Sequence, residues 1–388
     1  MKKKIQLLNK IAACGTDEFT RNTYEVDTDV QDPDGIMVRS AAMHEMEFGP
    51  SLRAIARAGA GVNNIPIDRC TENGIVVFNT PGANANGVKE LAIAALILAS
   101  RNVVGGIEWV NTLKDNTDDI AKAVEKGKGA YVGHELTGKT LGVIGLGAIG
   151  GLVANTANSL GMSVMGCDPY ITVNAAWALS VAVKKAASYE EIYQNADYIT
   201  LHVPSTKETK GMICKRTLDM MKDGVKIVNL ARADLVNAAD LKEALASGKV
   251  SAYITDFPTE ETVGVPGIVN IPHLGASTYE SEDHCAVMAA RQLADFLENG
   301  NIVNSVNFPA VSMPRGGVQR ICLAHKNIPN VIARATSAIS GEGINIENLS
   351  NGSRGEVAYT LIDAGNPISD HAIETLRAID GVIRVTIL

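Results

Sequence analysis

The stretch that decides the fold is "TLGVIGLGAIGGLVANTANSLGMSVMGCDP", Thr140–Pro169. It begins as an apolar run of strand length, passes through the G-x-G-x-x-G pattern of Gly145, Gly147 and Gly150, and continues with the spacing of a helix. Strand, glycine turn and helix in this order indicate a dinucleotide-binding unit. The glycines allow a tight turn, close approach of the backbone to a pyrophosphate, and close packing of the helix on the strand. The helix N-terminus favours an anion.

The next strand ends at Asp168, within "MGCDP". A carboxylate at this position accepts hydrogen bonds from both ribose hydroxyls and repels a 2′-phosphate, so we predict NAD rather than NADP as the cofactor. Glycines cluster in many turns, and the glycine pattern alone is weak. Because strand, glycines, helix and acid follow in order, a dinucleotide site is favoured over a structural turn beside a surface aspartate.

The same alternation of strands and helices runs through the flanking sequence. In residues 140–275 we predict six strands joined by crossover helices. In residues 1–100 shorter strands alternate with helices, with a strand at "GIMV" (Gly35–Val38) and a helix at "SLRAIARAG" (Ser51–Gly59). Such alternation implies parallel pairing, so the sequence predicts the α/β class with two doubly wound, Rossmann-like domains.

The last seventy or so residues follow a different order. After the Pro- and Gly-containing stretch "SMPRGGVQR" (Ser312–Arg320), the segments run strand, helix, strand, strand, helix, strand, which indicates a small ferredoxin-like domain. The predicted boundaries are 1–98 for a substrate-binding domain completed by 277–305, 99–276 for the NAD-binding domain, 306–317 for a linker, and 318–388 for the C-terminal domain.

Composition places the chain among ordinary globular proteins, with 388 residues, 46% of them hydrophobic and 20% charged. The formal charge of −8 and the lack of a basic run argue against a nucleic-acid partner. The longest apolar run, Leu91–Ser100, is far shorter than the ~20 residues of a membrane span. Polar residues interrupt "MKKKIQLLNK", which predicts a first strand rather than a signal segment. Six scattered cysteines without metal-ligand spacing indicate reduced thiols, a cytoplasmic location and no metal.

Charged side chains follow three of the predicted strands. In open α/β sheets ligands bind beyond the carboxyl ends of the strands, and Arg232, Asp256 and His273 stand at such ends. A guanidinium cannot lose its charge and is costly to bury alone, so Arg232 must meet either a structural carboxylate or an anionic ligand. Its planar donors suit a carboxylate, and an imidazole such as His273 exchanges protons readily. Glu260 and Glu261 are the candidate acids that would hold the imidazole tautomer.

These segments resemble the D-2-hydroxyacid dehydrogenase family. "VIGLGAIG", "CDP", "NLAR", "TDFPTEE" and "PHLGAST" occur in the family's order and at close to its spacings, over essentially the whole chain. The resemblance implies a catalytic set of Arg232, a glutamate and His273. Counting from Arg232 without a gap selects Glu261, which we prefer, whereas aligning "FPTE" selects Glu260. Ala233 stands where the family usually has glycine.

The resemblance also implies which residues surround the ligands. The implied cofactor contacts are Gly145, Gly147, Ala148, Ile149, Gly150, Asp168, Val203, Leu230, Ala231, Asp256, His273, Gly275 and Ala276. The implied substrate contacts are Arg39, Ser40, Arg57, Gly59, Ala60, Gly61, Val62, Asn63 and Arg232. Within the second set, Arg39 and Arg57 are the candidates for binding a phosphate.

The branch of the family with the greatest resemblance implies a reaction. We expect NAD-dependent oxidation of the C2 hydroxyl of 3-phospho-D-glycerate to 3-phosphohydroxypyruvate, the first step of phosphorylated serine biosynthesis. His273 would take the hydroxyl proton, Glu261 would orient His273, and Arg232 would bind the substrate carboxylate. Two alternatives stay open, namely another D-2-hydroxyacid dehydrogenase without phosphate specificity, and an NAD-sensing regulator on the same fold.

The C-terminal unit resembles an ACT domain, a module that often binds amino acids at a paired interface. His325, Asn327 and Asn345 stand where serine-inhibited relatives carry His and Asn, which implies L-serine as an effector. Asn330 replaces a glycine that relatives often have. A dimerisation module without a ligand is the alternative. We therefore expect a homo-oligomer, dimer or tetramer, with a small-molecule substrate and no nucleic-acid or membrane partner.

Overall fold

The computed structural model of this chain describes residues 2–116 and 118–388. The chain divides into two compact units, the first made of Met1–Asn84 and Glu282–Leu388 and the second of Ala85–Ser281. Within the described residues no single helix has the length and apolar content needed to cross a membrane. One bent pair, Ala85–Ser100 with Val103–Asp115 at 69°, meets the two requirements jointly.

The strands are β1 (Lys3–Leu8), β2 (Tyr24–Asp27), β3 (Gly35–Val38), β4 (Ala54–Arg57), β5 (Val76–Phe78), β6 (Thr140–Ile144), β7 (Ser163–Cys167), β8 (Lys184–Lys185), β9 (Tyr198–Leu201), β10 (Val225–Asn229), β11 (Val250–Thr255), β12 (Ile268–Asn270), β13 (Gln319–Lys326), β14 (Ile346–Arg354), β15 (Val357–Ala364) and β16 (Val382–Ile387). The helices are α1 (Ala13–Thr16), α2 (Ile67–Glu72), α3 (Ala85–Ser100), α4 (Val103–Thr112), α5 (Ile120–Gly127), α6 (Ala148–Ser159), α7 (Val173–Trp177), α8 (Tyr189–Asn195), α9 (Lys215–Met220), α10 (Ala238–Ala246), α11 (Tyr279–Asn299), α12 (Val331–Ser340) and α13 (Asp370–Arg377). Short 3-10 turns cover Leu113–Asp115, Lys128–Tyr131 and Ala233–Leu235.

The first unit contains a five-stranded parallel sheet in the order β2-β1-β3-β4-β5. The predicted helix at "SLRAIARAG" is wrong, because Ala54–Arg57 is strand β4 in the middle of this sheet. Ala54, Ile55 and Ala56 are fully buried. A strand buried on both faces is continuously apolar, and periodicity cannot distinguish so short a run from a helix.

The second unit contains a seven-stranded parallel sheet in the order β12-β11-β10-β9-β6-β7-β8. The six strands predicted for residues 140–275 are all present, and the two-residue strand β8 adds a seventh at one edge. The strand order reverses direction between β6 and β9, which pair directly. This switch point is where open α/β sheets bind their ligands.

The boundary predicted between residues 98 and 99 is wrong, because the first unit ends at Asn84 and all of α3 belongs to the second unit. The buried face of α3, including Ala92 and Leu96, packs with Leu141 and Val153 in the core around the seven-stranded sheet. At the other junction the second unit ends at Ser281 rather than at residue 276. The burial of its apolar side chains, rather than the position of a turn, decides to which unit α3 belongs.

The C-terminal residues form a four-stranded antiparallel sheet in the order β14-β15-β13-β16, with α12 and α13 between the strands in the predicted sequence. The two helices cover one face of this sheet. The other face, through Cys322 and Leu361, shares one core with Phe296 and Phe308.

This packing corrects two predictions. Residues 318–388 are not a separate compact unit, because they group with Met1–Asn84 in the first unit. Segment 306–317 is not a free linker either. Phe308 is fully buried and Val311 is 4% exposed, because both fill the core shared with the antiparallel sheet.

Candidate active site

The glycine turn between β6 and α6 has the geometry that a dinucleotide needs. Gly145 has φ +89°, and a Cβ there would lie 2.5 Å from the carbonyl oxygen of His202. A Cβ on Gly150 would lie 1.9 Å from the carbonyl oxygen of Gly145. Around Gly147, by contrast, the position of a Cβ is open within 4 Å. The first and third glycines are therefore required by packing, and the second leaves the backbone uncovered for a ligand.

The predicted ribose ligand Asp168 lies directly beside this turn. Its Oδ2 accepts the backbone N–H of Leu146 at 2.9 Å, and its Oδ1 accepts the N–H of Tyr170 at 2.9 Å. Asp168 therefore fixes the turn between β6 and α6, while its side chain remains partly exposed at the end of β7. Ala148 and Ile149 open α6, as a pyrophosphate site requires. This arrangement fits NAD.

The segment after β9 closes the other side of the turn. His202 donates its backbone N–H to the carbonyl of Ile144 at 2.8 Å, and a Cβ on Gly145 would lie 2.9 Å from Cγ1 of Val203. The imidazole Nε2 of His202 lies 2.9 Å from Oγ1 of Thr200. Burial lowers the pKa of His202 to about 4, so its ring is neutral at physiological pH. His202 is structural, and Val203 lies beside Gly145 of the glycine turn.

The turn carrying Arg232 is held by Asn229, a residue that sequence reasoning missed. The fully buried Asn229 accepts the backbone N–H of Ala231 at 3.2 Å through Oδ1, and its Nδ2 donates to the carbonyl of Arg232 at 2.8 Å. The same Nδ2 donates to the hydroxyl of Tyr253 at 3.0 Å. A polar residue at the end of the apolar run "VKIVN" was the available signal. Leu230, buried beside it, completes the turn.

The guanidinium of Arg232 is exposed and has no carboxylate partner among the described residues. Its Nη1 donates to the carbonyl of Ala231 at 2.6 Å, and its Cζ lies 5.8 Å from the centroid of the Phe257 ring. No structural ion pair therefore accounts for an arginine at this strand end. The remaining donors of Arg232 are free to bind an anion.

His273 and Arg232 contact the same aromatic ring. The ring centroids of His273 and Phe257 lie 4.6 Å apart, so Phe257 brings together two residues that are 41 positions apart in the chain. Phe257 was not among the predicted site residues, and nothing in its sequence context distinguished it from a core residue.

Asp256 is a buried carboxylate near Arg232 and His273. It is 1% exposed, its Oδ2 accepts the N–H of Gly275 at 3.3 Å, and its Oδ1 has no partner among the described residues. Burial raises the pKa of Asp256, and the nearby His273 and Arg232 oppose that rise. An unsatisfied buried carboxylate oxygen is costly, and its presence at the ends of β11 and β12 suits a ligand amide. Ala276, in the adjacent core, follows Gly275.

The two candidate glutamates do not reach His273 in this structure. Glu260 and Glu261 are both exposed, and within residues 2–116 and 118–388 neither makes a hydrogen bond or ion pair with His273. Glu261 instead lines a cavity of about 230 Å³ together with Asp234 and Phe257. The acid whose pKa His273 affects is instead the buried Asp256.

The predicted substrate residues of the first unit lie at the carboxyl ends of β3 and β4. Arg57 donates from Nε to the carbonyl of Arg39 at 3.1 Å, so the two arginines are adjacent. Burial and the charge of Arg39 lower the pKa of Arg57. A Cβ on Gly59 would lie 1.7 Å from Nη1 of Arg57, so the guanidinium occupies space that only a glycine leaves open. Arg39 forms an ion pair with Glu282, which the sequence did not indicate.

Backbone contacts fix the loops on either side of these arginines. Ser40 donates its N–H to Oδ1 of Asn9 at 3.1 Å, and Asn79 donates from Nδ2 to the carbonyl of Ala60 at 2.8 Å. In the rest of the predicted loop, Gly61 and Val62 are partly buried and Asn63 is exposed, with its carbonyl 3.0 Å from Nε2 of His44. Asn9 and Asn79 are supporting residues that the sequence analysis did not identify.

The predicted effector residues do not meet within one chain. His325 is 3% exposed, and its Nδ1 and Nε2 are occupied by the carbonyl of Lys326 at 2.8 Å and Oγ1 of Thr360 at 2.9 Å. Asn327 follows β13 at one end of the antiparallel sheet, whereas Asn345 precedes β14 at the other end. The eight residues of β13, about 26 Å of strand, separate the two ends.

Comparison with known proteins shows which of them this chain is similar to. The sequence profile described as "D-isomer specific 2-hydroxyacid dehydrogenase, NAD binding domain" matches residues 93–275. A D-3-phosphoglycerate dehydrogenase of Bacillus subtilis (strain 168) is 34% identical over 301 residues, covering 75% of this chain and 55% of the relative. D-3-phosphoglycerate dehydrogenase 1 of Saccharomyces cerevisiae is 29% identical over 361 residues, covering 86% of this chain and 73% of the relative.

Among solved structures, the NAD+-bound 3-phosphoglycerate dehydrogenase of Entamoeba histolytica superposes with a TM-score of 0.60 at 28% identity, covering 79% of this chain and 99% of that one. The present chain spans only 52–55% of the length of the first curated relatives it matches. Residues 93–275 are thus similar to the NAD-binding domain of the D-isomer specific 2-hydroxyacid dehydrogenases, and the glycine turn, Asp168, Arg232 and His273 all lie within this range.

Proposed function

We propose that the protein is an NAD-dependent dehydrogenase that oxidises the C2 hydroxyl of 3-phospho-D-glycerate to 3-phosphohydroxypyruvate. The observation that carries this proposal is that Arg232, a guanidinium without a carboxylate partner among the described residues, and the imidazole of His273 both lie beside the ring of Phe257. This pair lies beyond the strand ends of the sheet that carries the dinucleotide turn. The relatives named D-3-phosphoglycerate dehydrogenase support the choice of substrate.

In this mechanism Arg232 and His273 have different tasks. Arg232 binds the substrate carboxylate through its free donors and stabilises charge that develops on the C2 oxygen. His273 removes the proton of the C2 hydroxyl, a role worth about 10²–10⁴-fold in rate. Bound NAD would supply the acceptor for the hydride that leaves C2.

The acid that supports His273 stays a prediction. We assign this role to Glu261, which would orient the imidazole and stabilise its protonated form once substrate is bound. Hydrogen bonds between catalytic groups are often long or absent without substrate, so the present separation does not remove a candidate. The buried Asp256, whose pKa His273 and Arg232 both affect, would offer its free Oδ1 to the nicotinamide amide.

The first unit would supply recognition of the substrate phosphate. Arg39 and Arg57 are adjacent, and Arg57 has no carboxylate partner in the described part of the chain. Two guanidinium groups suit a dianionic phosphate, because each offers parallel N–H donors.

The test is the oxidation of NADH by the purified protein in the presence of 3-phosphohydroxypyruvate, followed by absorbance. We expect turnover with phosphohydroxypyruvate, and a fall in kcat/KM of at least about 100-fold in the variants Arg232→Ala and His273→Ala. Arg216→Ala, a change at an exposed arginine on α9, is the matched control and should keep the rate. NADH binding without turnover of any 2-oxoacid would instead favour the NAD-sensing regulator.

One observation favours the second candidate, a D-2-hydroxyacid dehydrogenase that acts on unphosphorylated substrates. Glu282 already neutralises Arg39, which leaves less positive charge for a phosphate. Comparing 3-phosphohydroxypyruvate with hydroxypyruvate separates the two, since the phosphate-specific enzyme should prefer the first substrate by kcat/KM, and Arg39→Ala and Arg57→Ala should abolish that preference.

We further propose that the antiparallel sheet with α12 and α13 is an ACT-type regulatory module that responds to L-serine in a homo-oligomer. Because His325 and Asn327 lie at the opposite sheet end from Asn345, a site containing all three requires two copies of the chain. Raising the L-serine concentration should lower the rate and raise the melting temperature. No effect of serine on either quantity would favour a dimerisation module without a ligand. The cytoplasmic location stays a prediction.

A further inference from the structure

Of the adjacent arginines Arg39 and Arg57, only Arg39 has a carboxylate partner among the described residues. Nη2 of Arg39 lies 2.5 Å from Oε1 of Glu282, and the two side chains are 43% and 37% exposed. Glu282 is the first residue of α11 that belongs to this unit. Because both groups are partly open to solvent, an anion from solution can reach the pair.

The neighbouring Arg57 places a second positive charge beside Arg39. It donates to the carbonyl of Arg39, and within the described residues it has no carboxylate of its own. Two positive charges therefore face one negative charge. An incoming phosphate dianion is attracted by both arginines but repelled by Glu282.

We propose that Glu282 determines substrate specificity, because its carboxylate competes with the distal anionic group of the substrate for Arg39. A dianionic group can form ion pairs with both arginines only after the ion pair between Glu282 and Arg39 has broken. A substrate with a neutral distal group leaves the ion pair intact. This inference rests on the proposed function in one respect, that Arg39 contacts the substrate.

The competition has a definite kinetic signature. The ion pair acts on binding rather than on the proton or hydride transfer, so its removal should change KM and leave kcat nearly unchanged. Partly exposed charge pairs have modest strength, so the expected change in KM is about three- to tenfold.

The experiment compares Glu282→Gln with the wild-type protein. Glutamine keeps the shape of the side chain and removes its charge. KM for 3-phosphohydroxypyruvate should fall about three- to tenfold, and KM for hydroxypyruvate should change less than about twofold. Glu280→Gln is the matched control, because Glu280 is an exposed glutamate near the start of the same helix and has no ion pair among the described residues. It should change neither KM.

A double-mutant cycle then tests whether the effect passes through Arg39. In the Arg39→Ala background, the further change Glu282→Gln should no longer improve KM, because the two substitutions act on one interaction. If Glu282→Gln improved KM equally in the wild type and in Arg39→Ala, the competition would be contradicted. An unchanged KM together with a lower melting temperature in Glu282→Gln would also contradict it, because that result indicates a purely structural ion pair.

Binding of inorganic phosphate separates this inference from the proposed function. Phosphate should raise the melting temperature of Glu282→Gln more than that of the wild type, whether or not either protein oxidises NADH. If the wild type does not turn over phosphohydroxypyruvate but this difference is seen, the proposed reaction falls and the competition stands. If turnover is seen and phosphate affects both proteins equally, the competition falls and the reaction stands.

Discussion

Arg320 and Asp363 form a two-point ion pair in which both side chains are fully buried, with Nε to Oδ1 at 2.6 Å and Nη2 to Oδ2 at 2.8 Å. The remaining donors of Arg320 go to the carbonyls of Asn299, Met313 and Pro314. One guanidinium thus joins the end of α11, the segment after it and the antiparallel sheet. These contacts explain why residues 306–317 are not a free linker.

Removing the carboxylate should destabilise the first unit strongly. In Asp363→Ala the buried guanidinium loses its counter-charge, and the free energy of unfolding should fall by about 3–5 kcal/mol. Urea unfolding followed by circular dichroism measures this change. Asp219→Asn, which breaks the exposed Lys215–Asp219 pair, is the control and should cost less than about 1 kcal/mol. A comparable loss in both variants would contradict the special role of the buried pair.

Acid should weaken the same contact. Burial raises the pKa of Asp363, but the Arg320 hydrogen bonds and the Gly316 N–H outweigh it, so the net pKa is lowered. A lowered folded-state pKa contributes stability above the unfolded value of about 3.9 and loses it as the pH falls through the folded-state pKa. The urea concentration at the midpoint of unfolding should therefore decrease as the pH is lowered below about 4. In a double variant, Arg320→Met with Asp363→Leu, this part of the acid dependence should disappear.

The first glycine of the dinucleotide turn should not tolerate a side chain. Gly145→Ala places a Cβ against the carbonyl of His202 in addition to the strain of φ +89°. We expect NADH affinity to fall at least about tenfold in a fluorescence titration, since a displaced turn no longer presents its N–H groups. Gly224→Ala separates strain from contact, because Gly224 has φ +76° with open space around it. That variant should lose stability and keep its NADH affinity.

Asp168 should decide between NAD and NADP. Asp168→Asn removes the charge that repels a 2′-phosphate but keeps an acceptor for the N–H of Leu146. The ratio of kcat/KM for NADH over NADPH should therefore fall about tenfold or more, mainly through better use of NADPH. In Asp168→Ala the turn loses both hydrogen bonds, and the use of both cofactors should decline. An unchanged ratio in Asp168→Asn would place the selectivity elsewhere.

The sequence predicted the parallel sheet of the second unit because each strand is followed by a polar or glycine stop, as at Gly145, Asp168 and Arg232. It failed at Ala54–Arg57, where small apolar residues suit a helix and a central strand equally. It also failed at α3, because helix assignment to a unit depends on long-range packing. Phe257, Asn229 and Glu282 were missed for the same reason, since their roles exist only through tertiary contacts.

The identity of the acid that supports His273 is the remaining prediction about the chemistry. Single exchanges of Glu261→Gln and Glu260→Gln keep side-chain volume and remove one charge each. If Glu261 orients the imidazole, its loss should lower kcat about 10–100-fold with little change in KM, because the contact matters for proton transfer rather than binding. Glu260→Gln should then retain most of the rate. The reverse pattern would select Glu260. Normal rates in both variants would make the buried Asp256, whose pKa His273 and Arg232 both affect, the candidate for this role.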